Sequence, residues 1–393
     1  MNELERKVVE LIMPDDLTKL VQDIVRIPSV SGDEEEVASF MADKMKEWGM
    51  EVTTDYVLPR RPNIYGVLRG EAEGPKLLFN GHTDIVPPGH GWEDDPYSGL
   101  IREGRLHGRG SADMKGGLAA MMFAAKALKQ AAVELRGSLT ISAVIAEEDD
   151  QKGTLRLVER KTKTDLAVVG EPTELNVCNT HKGDATYEIT AKGKSAHSSV
   201  PHEGINAIYK MSKVVNAIEE FSDQLQRRNT HPSLGSATMS VGTISGGDIP
   251  WNVPSSCRIL VDRRILPDEN AETGRNELES ILQEFRDHDL DFATEVKLNT
   301  YSPAMETPPD HMLVRVFSDM IAKVTGQNPQ VKGIPYTTDG GILNKTLHVP
   351  TIVFGPGDIR HAHKPDESIA LSEVFSAAKV YALAALHILS SSC

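Results

Sequence analysis

The chain has 393 residues, which is longer than a single hydrophobic core usually grows and therefore favours two domains. Its 57 acidic and 42 basic residues give a formal charge of −15, and this argues against a nucleic-acid partner, which needs a basic surface. No uninterrupted apolar stretch reaches the length of a membrane span, and the first residues lack the pattern of a signal peptide. The three cysteines (Cys178, Cys257 and Cys393) form no CxxC pair. Together these features predict a cytoplasmic protein without a membrane or nucleic-acid partner.

The first part of the chain alternates helical and strand-like segments. Four apolar runs are nearly continuous, as in strands buried on both faces of a parallel sheet; they cover residues 76–79, 139–146, 166–169 and 351–354. Helical periodicity covers residues 16–25, 33–48, 114–130 and 309–325. The second of these helices follows Ser31-Gly32-Asp33-Glu34, a pattern with capping chemistry. The alternation predicts an α/β domain with a doubly wound, mostly parallel sheet.

Residues 182–298 have a different order of predicted strands and helices. Strand patterns cover 185–192, 238–244, 257–265 and 292–298, and helical patterns cover 205–225 and 272–286. Their order, β-α-β-β-α-β, is that of the ferredoxin-like split βαβ motif. The sequence therefore predicts a small α+β domain (182–298) inserted into a larger domain that is formed by residues 1–181 and 299–393.

Histidines and carboxylates follow the apolar runs at the points where the predicted strands end. Ligands of open α/β sheets bind beyond the carboxyl ends of the strands, so these side chains are expected to meet at one edge of the sheet. Five chain segments contribute them: His82 with Asp84, Asp113, Glu147 with Glu148, Glu171, and His361 with His363. Each segment by itself has an ordinary structural explanation, but all five together indicate a metal site.

The residue types favour two divalent ions over one. A single catalytic zinc uses three protein ligands, whereas two histidines and four or more carboxylates are enough for two ions that share a carboxylate. Two cations would also relieve the repulsion within the acidic stretch VIAEEDD at 144–150. Asp84 lies two residues after His82 on an extended segment, so its carboxylate is expected to accept the second ring N–H of His82.

Eight motifs occur in the order of one known family: GHTDIVPPG, GRGSADMKGG, AEED, GEPT, GKSAHSSVPHEGINAI, NVPSSCRILVDRR, TTDGG and AHKPDES. On these motifs, which span nearly the whole chain, the sequence resembles the M20 metallopeptidases. That family includes acetylornithine deacetylase, succinyl-diaminopimelate desuccinylase, aminoacylase and carboxypeptidase G. The resemblance implies two divalent metal ions, with zinc expected and cobalt or manganese as alternatives.

The resemblance also implies roles for individual residues. It assigns His82 and Glu171 to one ion, Glu148 and His363 to the other, and Asp113 to both. Glu147 would be the catalytic general base that takes a proton from a water activated by the ions, and Asp84 would assist the reaction. The peptide bond after Asp113 is expected to be cis.

The inserted domain is implied to be a lid that forms a homodimer. His197 matches a histidine that reaches the partner subunit's site and stabilises the tetrahedral oxyanion. Substrate binding is assigned to four further residues: Asn252, Arg264, Thr338 and Gly340. Arg263 is the alternative to Arg264, but the spacing from Asp262 in the family favours Arg264.

The expected activity is hydrolysis of an amide bond, with removal of the acyl group from a small N-acyl amino acid. A carboxypeptidase or dipeptidase acting on a short peptide is the alternative, and a two-metal phosphoesterase or a non-catalytic relative are more distant ones. Three departures from the family pattern bear on this. Ala146 replaces an acid and leaves open whether Glu148 and Asp149 form the functional pair, Lys182 replaces an arginine of some desuccinylases, and Glu171 is typical of the deacylase branch.

Overall fold

The computed structural model describes residues 1–228 and 230–390, and the chain divides into two compact units. Unit 1 comprises Met1–Asn179, Glu306–Lys332 and Thr338–Cys393, and unit 2 comprises Thr180–Met305 and Gly333–Thr337. Unit 2 extends beyond the predicted insertion at both ends and gains the short segment Gly333–Thr337. Cys178 and Cys257 are buried free thiols, and Cys393 lies outside the described residues.

Unit 1 contains most of a nine-stranded sheet with a parallel centre. The central neighbours are Arg136–Val144, Ala72–His82, Leu166–Val169 and Thr351–Val353. The flanking strands are Glu51–Leu58, Arg61–Arg69, Val177–His181, Met305–Glu306 and Val331–Ile334. The parallel strands are the four apolar runs of the sequence, which confirms a largely parallel central sheet. Glu51–Leu58 was not predicted because half of its residues are exposed and it lacks a continuous apolar pattern.

The principal helices of unit 1 are Glu3–Glu10, Pro14–Val25, Glu35–Glu47, Gly116–Gln130, Lys152–Glu159, Met312–Thr325 and Leu371–Leu389. The predicted N-terminal cap of the helix Glu35–Glu47 is wrong. The residue before this helix is Glu34, whose side chain makes no capping hydrogen bond, and the Ser31 hydroxyl donates instead to Asp84 Oδ2 at 2.7 Å. A tertiary contact therefore takes the side chain that the local pattern assigned to the helix terminus.

Two helices that are apolar on all sides form the centre of unit 1. Gly116–Gln130 and Leu371–Leu389 pack against each other, and most residues of each helix are buried. Leu371–Leu389 is also long and apolar enough to cross a membrane, but 67% of that stretch is buried inside the protein. Core helices of globular proteins have the same composition, so this helix is best described as part of the core.

A glycine lets the first of these helices approach the strand ends. A Cβ atom on Gly117 would lie 2.2 Å from the carbonyl oxygen of Gly170, closer than any side chain can come. Gly170 immediately precedes Glu171, so this close approach fixes the backbone from which Glu171 projects.

Unit 2 contains a four-stranded antiparallel sheet and two long helices. In spatial order the strands are Thr238–Gly246, Ser256–Ile265, Gly183–Lys192 and Ala293–Ser302, and the helices are Ala207–Leu225 and Ala271–His288. Along the chain these elements run β-α-β-β-α-β. Small additional strands are Thr230–His231 and Gly235–Ser236 in unit 2, and Leu100–Arg102, Arg105–His107 and Ser368–Ala370 in unit 1.

Candidate metal centre

The register of the parallel strands gathers the predicted residues at one edge of the sheet. His82 is the last residue of its strand and lies opposite Val144, the last residue of the neighbouring strand. On the other side Asn80 lies opposite Val169, which ends the next strand. The segments that leave Val144 and Val169 therefore start beside His82, and they carry the glutamates of the predicted site.

The first group of possible ligands is buried. His82 Nε2 lies 3.0 Å from Asp113 Oδ1 and 3.5 Å from Glu171 Oε1. The ligand atoms of these three residues all lie within 4.8 Å of one another, a spacing suited to a metal ion. The structure therefore brings together the three side chains that the family resemblance assigned to one ion.

The second group is more open and shares a residue with the first. His363 Nε2 lies 2.9 Å from Glu148 Oε1 and 3.3 Å from Asp113 Oδ2. Asp113 thus directs Oδ1 to one group and Oδ2 to the other. A carboxylate that divides its oxygens between two ligand groups is the arrangement expected of a residue that bridges two ions.

The charge balance of the edge also fits cations. Glu171 Oε1 is buried and has no hydrogen-bond partner among the described residues. Burial raises the pKa of the Glu171 carboxyl well above its usual value, and the nearby Asp113 charge adds to this. Burial also raises the pKa of Glu147 well above its usual value; the charge of His82 opposes this rise, and the charges of Glu171 and Asp339 add to it. Divalent ions would give Glu171 Oε1 a partner and would offset the repulsion between the carboxylates.

The two histidines respond to the same carboxylates. Burial alone would lower the pKa of His82, but the charge of Glu171 and the contact with Asp113 raise it well above its ordinary value. Hydrogen bonds to Asp113 and Glu148 raise the pKa of His363 to about 10. Asp113 itself has a lowered pKa, because the two histidines outweigh the effect of its burial.

Asp84 orients His82, but with a different atom from the one predicted. The backbone carbonyl of Asp84 lies 2.8 Å from His82 Nδ1, whereas the nearest carboxylate oxygen lies 3.6 Å away. The carboxylate accepts hydrogen bonds from the backbone N–H groups of Glu147 and Glu148, both at 3.1 Å, and from Ser31. The prediction of a carboxylate contact was therefore wrong in its atom, and the carboxylate instead holds the backbone of the two glutamates.

This contact bears on the register of the acidic stretch. Ala146 has a φ of 61°, in the left-handed region, and turns the chain sharply before Glu147. Glu148 then reaches His363, while Asp149 is exposed and belongs to neither ligand group. The geometry favours Glu147 and Glu148 over Glu148 and Asp149 as the pair that faces the site.

Three of the predicted residues lie in unit 2. His197 and Asn252 are exposed and lie opposite each other in an antiparallel bridge. Arg264 is half-exposed and pairs with Asp262 at 3.0 Å. Arg263 is buried between Glu269 and Glu277, at 3.0 and 2.8 Å. The buried pairing makes Arg263 a structural residue and leaves Arg264 as the arginine available to a ligand.

The TTDGG motif contains an acid that sequence reasoning did not assign. Thr338 and Gly340 are both buried, and the Gly340 N–H donates to Thr338 Oγ1 at 3.0 Å. Asp339 between them is also buried and accepts a hydrogen bond from Asn80 at 3.0 Å. Burial raises the pKa of Asp339 to about 6. The sequence signal for Asp339 was its place inside the TTDGG motif.

Metal binding is expected to release a proton from His363. At pH 7.5 this ring is protonated in the metal-free protein because its pKa is about 10, whereas a metal ligand needs an unprotonated nitrogen. The apparent affinity for the ions should therefore rise with pH up to about 10. By the same linkage, the pairing of protonated His363 stabilises the metal-free protein fully below its unfolded pKa and is lost as the pH rises through the folded value.

The release can be measured with a pH indicator when zinc is added to metal-free protein in weak buffer. His363→Ala should release about one proton fewer than the unchanged protein. Equal release from the two proteins would show that His363 carries no proton that binding displaces.

Comparisons with known proteins identify relatives of this chain along most of its length. The sequence model of peptidase family M20/M25/M40 matches residues 78–387. The chain is 32% identical to acetylornithine deacetylase of Photorhabdus laumondii over 375 residues, which cover 92% of this chain and 94% of that protein. It is 26% identical to N-formyl-4-amino-5-aminomethyl-2-methylpyrimidine deformylase of Bacillus subtilis over 373 residues, covering 88% and 87% of the two chains. Among solved structures, the YXEP protein of Bacillus subtilis, described as a dinuclear metal binding peptidase, superposes with a TM-score of 0.74 at 16% identity, covering 96% and 98%.

Proposed function

The chain belongs to peptidase family M20/M25/M40, and from that membership we propose that it is a two-metal hydrolase that removes the acyl group of N-acyl amino acids. The observation that carries the proposal is Asp113, whose two carboxylate oxygens face two separate groups of metal ligands. His82 and Glu171 complete one group, and Glu148 and His363 complete the other.

Two divalent ions at these groups would polarise the substrate carbonyl and lower the pKa of the attacking water. Glu147 belongs to neither group but follows the strand that ends beside His82, and its backbone is held by Asp84. We assign Glu147 as the general base that takes a proton from the water and passes it to the leaving nitrogen. Burial raises the pKa of the Glu147 carboxyl, the direction that favours a group holding a proton between its two transfers.

Unit 2 is proposed to act as a lid and to form a homodimer. In this proposal His197 stabilises the oxyanion in the partner subunit's site, and Asn252 and Arg264 bind the substrate carboxylate. Three observations support these roles: His197 and Asn252 lie opposite each other, both are exposed, and Arg264 has an accessible guanidinium while Arg263 does not. Thr338 and Gly340 are proposed to contact the substrate through the TTDGG segment.

Deacylation is favoured over peptide cleavage. Acetylornithine deacetylase and the deformylase are similar to this chain along most of its length, and the names of both describe removal of an acyl group from nitrogen. Lys182, at the position where some desuccinylases carry arginine, is buried and donates to the carbonyl oxygen of Ser236 at 2.6 Å. This engagement disfavours a dicarboxylic acyl group and favours a small one such as acetyl or formyl.

Zinc is the proposed metal, with cobalt or manganese as alternatives that the same histidine and carboxylate ligands accept. We also propose a cytoplasmic location, for which the acidic composition and the absence of a CxxC pair are the support.

A substrate series in which only the acyl group changes tests the function. N-acetyl, N-formyl, N-succinyl and N-glycyl derivatives of one amino acid are incubated with zinc-, cobalt- or manganese-loaded protein, and the free amino acid is measured. The expected result is hydrolysis of the acetyl or formyl compound that stops when EDTA is added. Cleavage of the N-glycyl compound alone would show a dipeptidase, and release that EDTA does not affect would contradict a metal-dependent reaction.

A further inference from the structure

Glu367 is a buried carboxylate that the proposed reaction does not use. Its Oε1 accepts hydrogen bonds from two consecutive backbone N–H groups, those of Ala112 at 2.9 Å and Asp113 at 3.2 Å. The residue is 1% exposed. It lies in the AHKPDES motif, four positions after His363.

The other carboxylate oxygen of Glu367 is held by Arg109. The guanidinium donates to Oε2 at 2.6 Å and is itself buried, with 2% exposure. Arg109 also donates to the carbonyl oxygen of Pro88 at 3.2 Å and lies over the ring of Trp92. These contacts fix the guanidinium, and the guanidinium in turn fixes and neutralises Glu367.

The same residue connects two segments that carry metal ligands. The Gly108 N–H donates to the backbone carbonyl of Glu367 at 2.9 Å. Directly after Glu367, the strand Ser368–Ala370 pairs with Arg105–His107. Glu367 therefore joins the segment that bears His363 to the turn that bears Asp113, and these two ligands meet in the second group.

Two amides that share one carboxylate oxygen define the orientation of the peptide planes on either side of Ala112. Asp113 has a φ of −122° and a ψ of 96°, so helical hydrogen bonding does not set its conformation. Its side chain must nevertheless direct Oδ1 toward the first ligand group and Oδ2 toward the second. A small rotation of the backbone at this point would remove one oxygen from its group.

We propose that Glu367 is a positioning residue that holds Asp113 where it can serve both ligand groups, and that Arg109 neutralises and aligns Glu367. The inference rests on the proposed two-metal function, because the effect of Glu367 is exerted through a metal ligand. A purely structural role would have a different effect. Loss of Glu367 would then weaken the fold, and it would lower the affinity for the ions no more than loss of another buried ion pair does.

Glu34 provides a matched control. It is also buried, pairs with Arg61 at 2.5 Å, and accepts a backbone N–H, that of Gly32, at 3.0 Å. It contacts none of the proposed metal ligands in the described part of the chain. Glu34→Gln, like Glu367→Gln, removes a buried negative charge and one acceptor oxygen that faces an arginine, but it does not touch the backbone of a ligand.

The experiment measures zinc affinity by competition with a chromophoric chelator, and the visible absorption of the cobalt-loaded proteins. Glu367→Gln is expected to bind the ions about 10- to 100-fold more weakly than the unchanged protein, with an altered cobalt spectrum. Glu34→Gln should keep both properties. Urea unfolding in EDTA, measured on both variants, checks that their losses of stability are similar.

Glu367→Asp carries the test if Glu367→Gln does not fold. Aspartate keeps the charge for Arg109 but is one methylene shorter, so it cannot reach both amides, and weaker ion binding is again expected. Zinc affinities of the Glu367 variants equal to that of Glu34→Gln would overturn the inference while leaving the proposed function intact. If the unchanged protein bound no ions, the proposed function and the inference would both be overturned.

Discussion

Glu147→Gln is expected to lower the turnover of the N-acyl substrate by about 100- to 10,000-fold while the protein still binds two ions. Glutamine has nearly the same shape but cannot accept the proton of the attacking water. Because Glu147 belongs to neither ligand group, the ligand set of both ions stays complete. The backbone contact from Glu147 N–H to Asp84 is also unaffected, since the substitution changes only the side chain.

Turnover and metal content of the same preparation must be measured together, because activity alone does not distinguish a lost base from a lost ion. Asp149→Asn is the matched control: it neutralises an acid two residues further along the same stretch, but that acid is exposed. Its turnover should remain close to that of the unchanged protein. Full activity in Glu147→Gln with two bound ions would remove Glu147 from the mechanism, and a large loss in Asp149→Asn would reopen the register of the stretch.

The central sheet was predictable because strands buried on both faces have continuous runs of apolar residues. Leu166–Val169 is entirely apolar and coincides with the predicted strand, and the other three runs also lie in or overlap parallel strands. Glu51–Leu58 was missed because the strand lies at the sheet edge and alternates polar and apolar side chains irregularly. Lys152–Glu159 was missed because a helix of eight residues offers too few turns to show a period.

The sequence predicted which side chains would meet at the strand ends, but not the atoms through which they make contact. The rule that ligands lie beyond strand ends points to His82, Glu148 and Glu171 without reference to a family. It could not show that the carbonyl of Asp84, and not its carboxylate, meets His82, because this depends on where the next strand places the amides of the two glutamates. Glu367 left no signal for the same reason, since its partners are backbone N–H groups.

His363→Ala and Asp113→Ala are expected to differ in the number of ions they lose. His363 belongs to one ligand group only, so its removal should leave His82, Asp113 and Glu171 able to bind one ion. Asp113 belongs to both groups, and its removal leaves two ligands in each. We therefore expect His363→Ala to bind about one ion, and Asp113→Ala to bind neither tightly at zinc concentrations that saturate the unchanged protein.

The affinities can be ranked as well as the stoichiometries. Loss of a supporting hydrogen bond to a ligand is expected to weaken ion binding by roughly 10- to 100-fold. Removing the shared ligand should weaken it by more, so the zinc affinity of Asp113→Ala should be lower than that of Glu367→Gln. Metal content after dialysis, combined with the chelator competition, measures both quantities. Asp150→Ala is a suitable control because Asp150 pairs with Lys152 and lies in neither group. Two tightly held ions in Asp113→Ala would exclude a bridging role for Asp113, and with it the argument that one carboxylate organises both halves of the site.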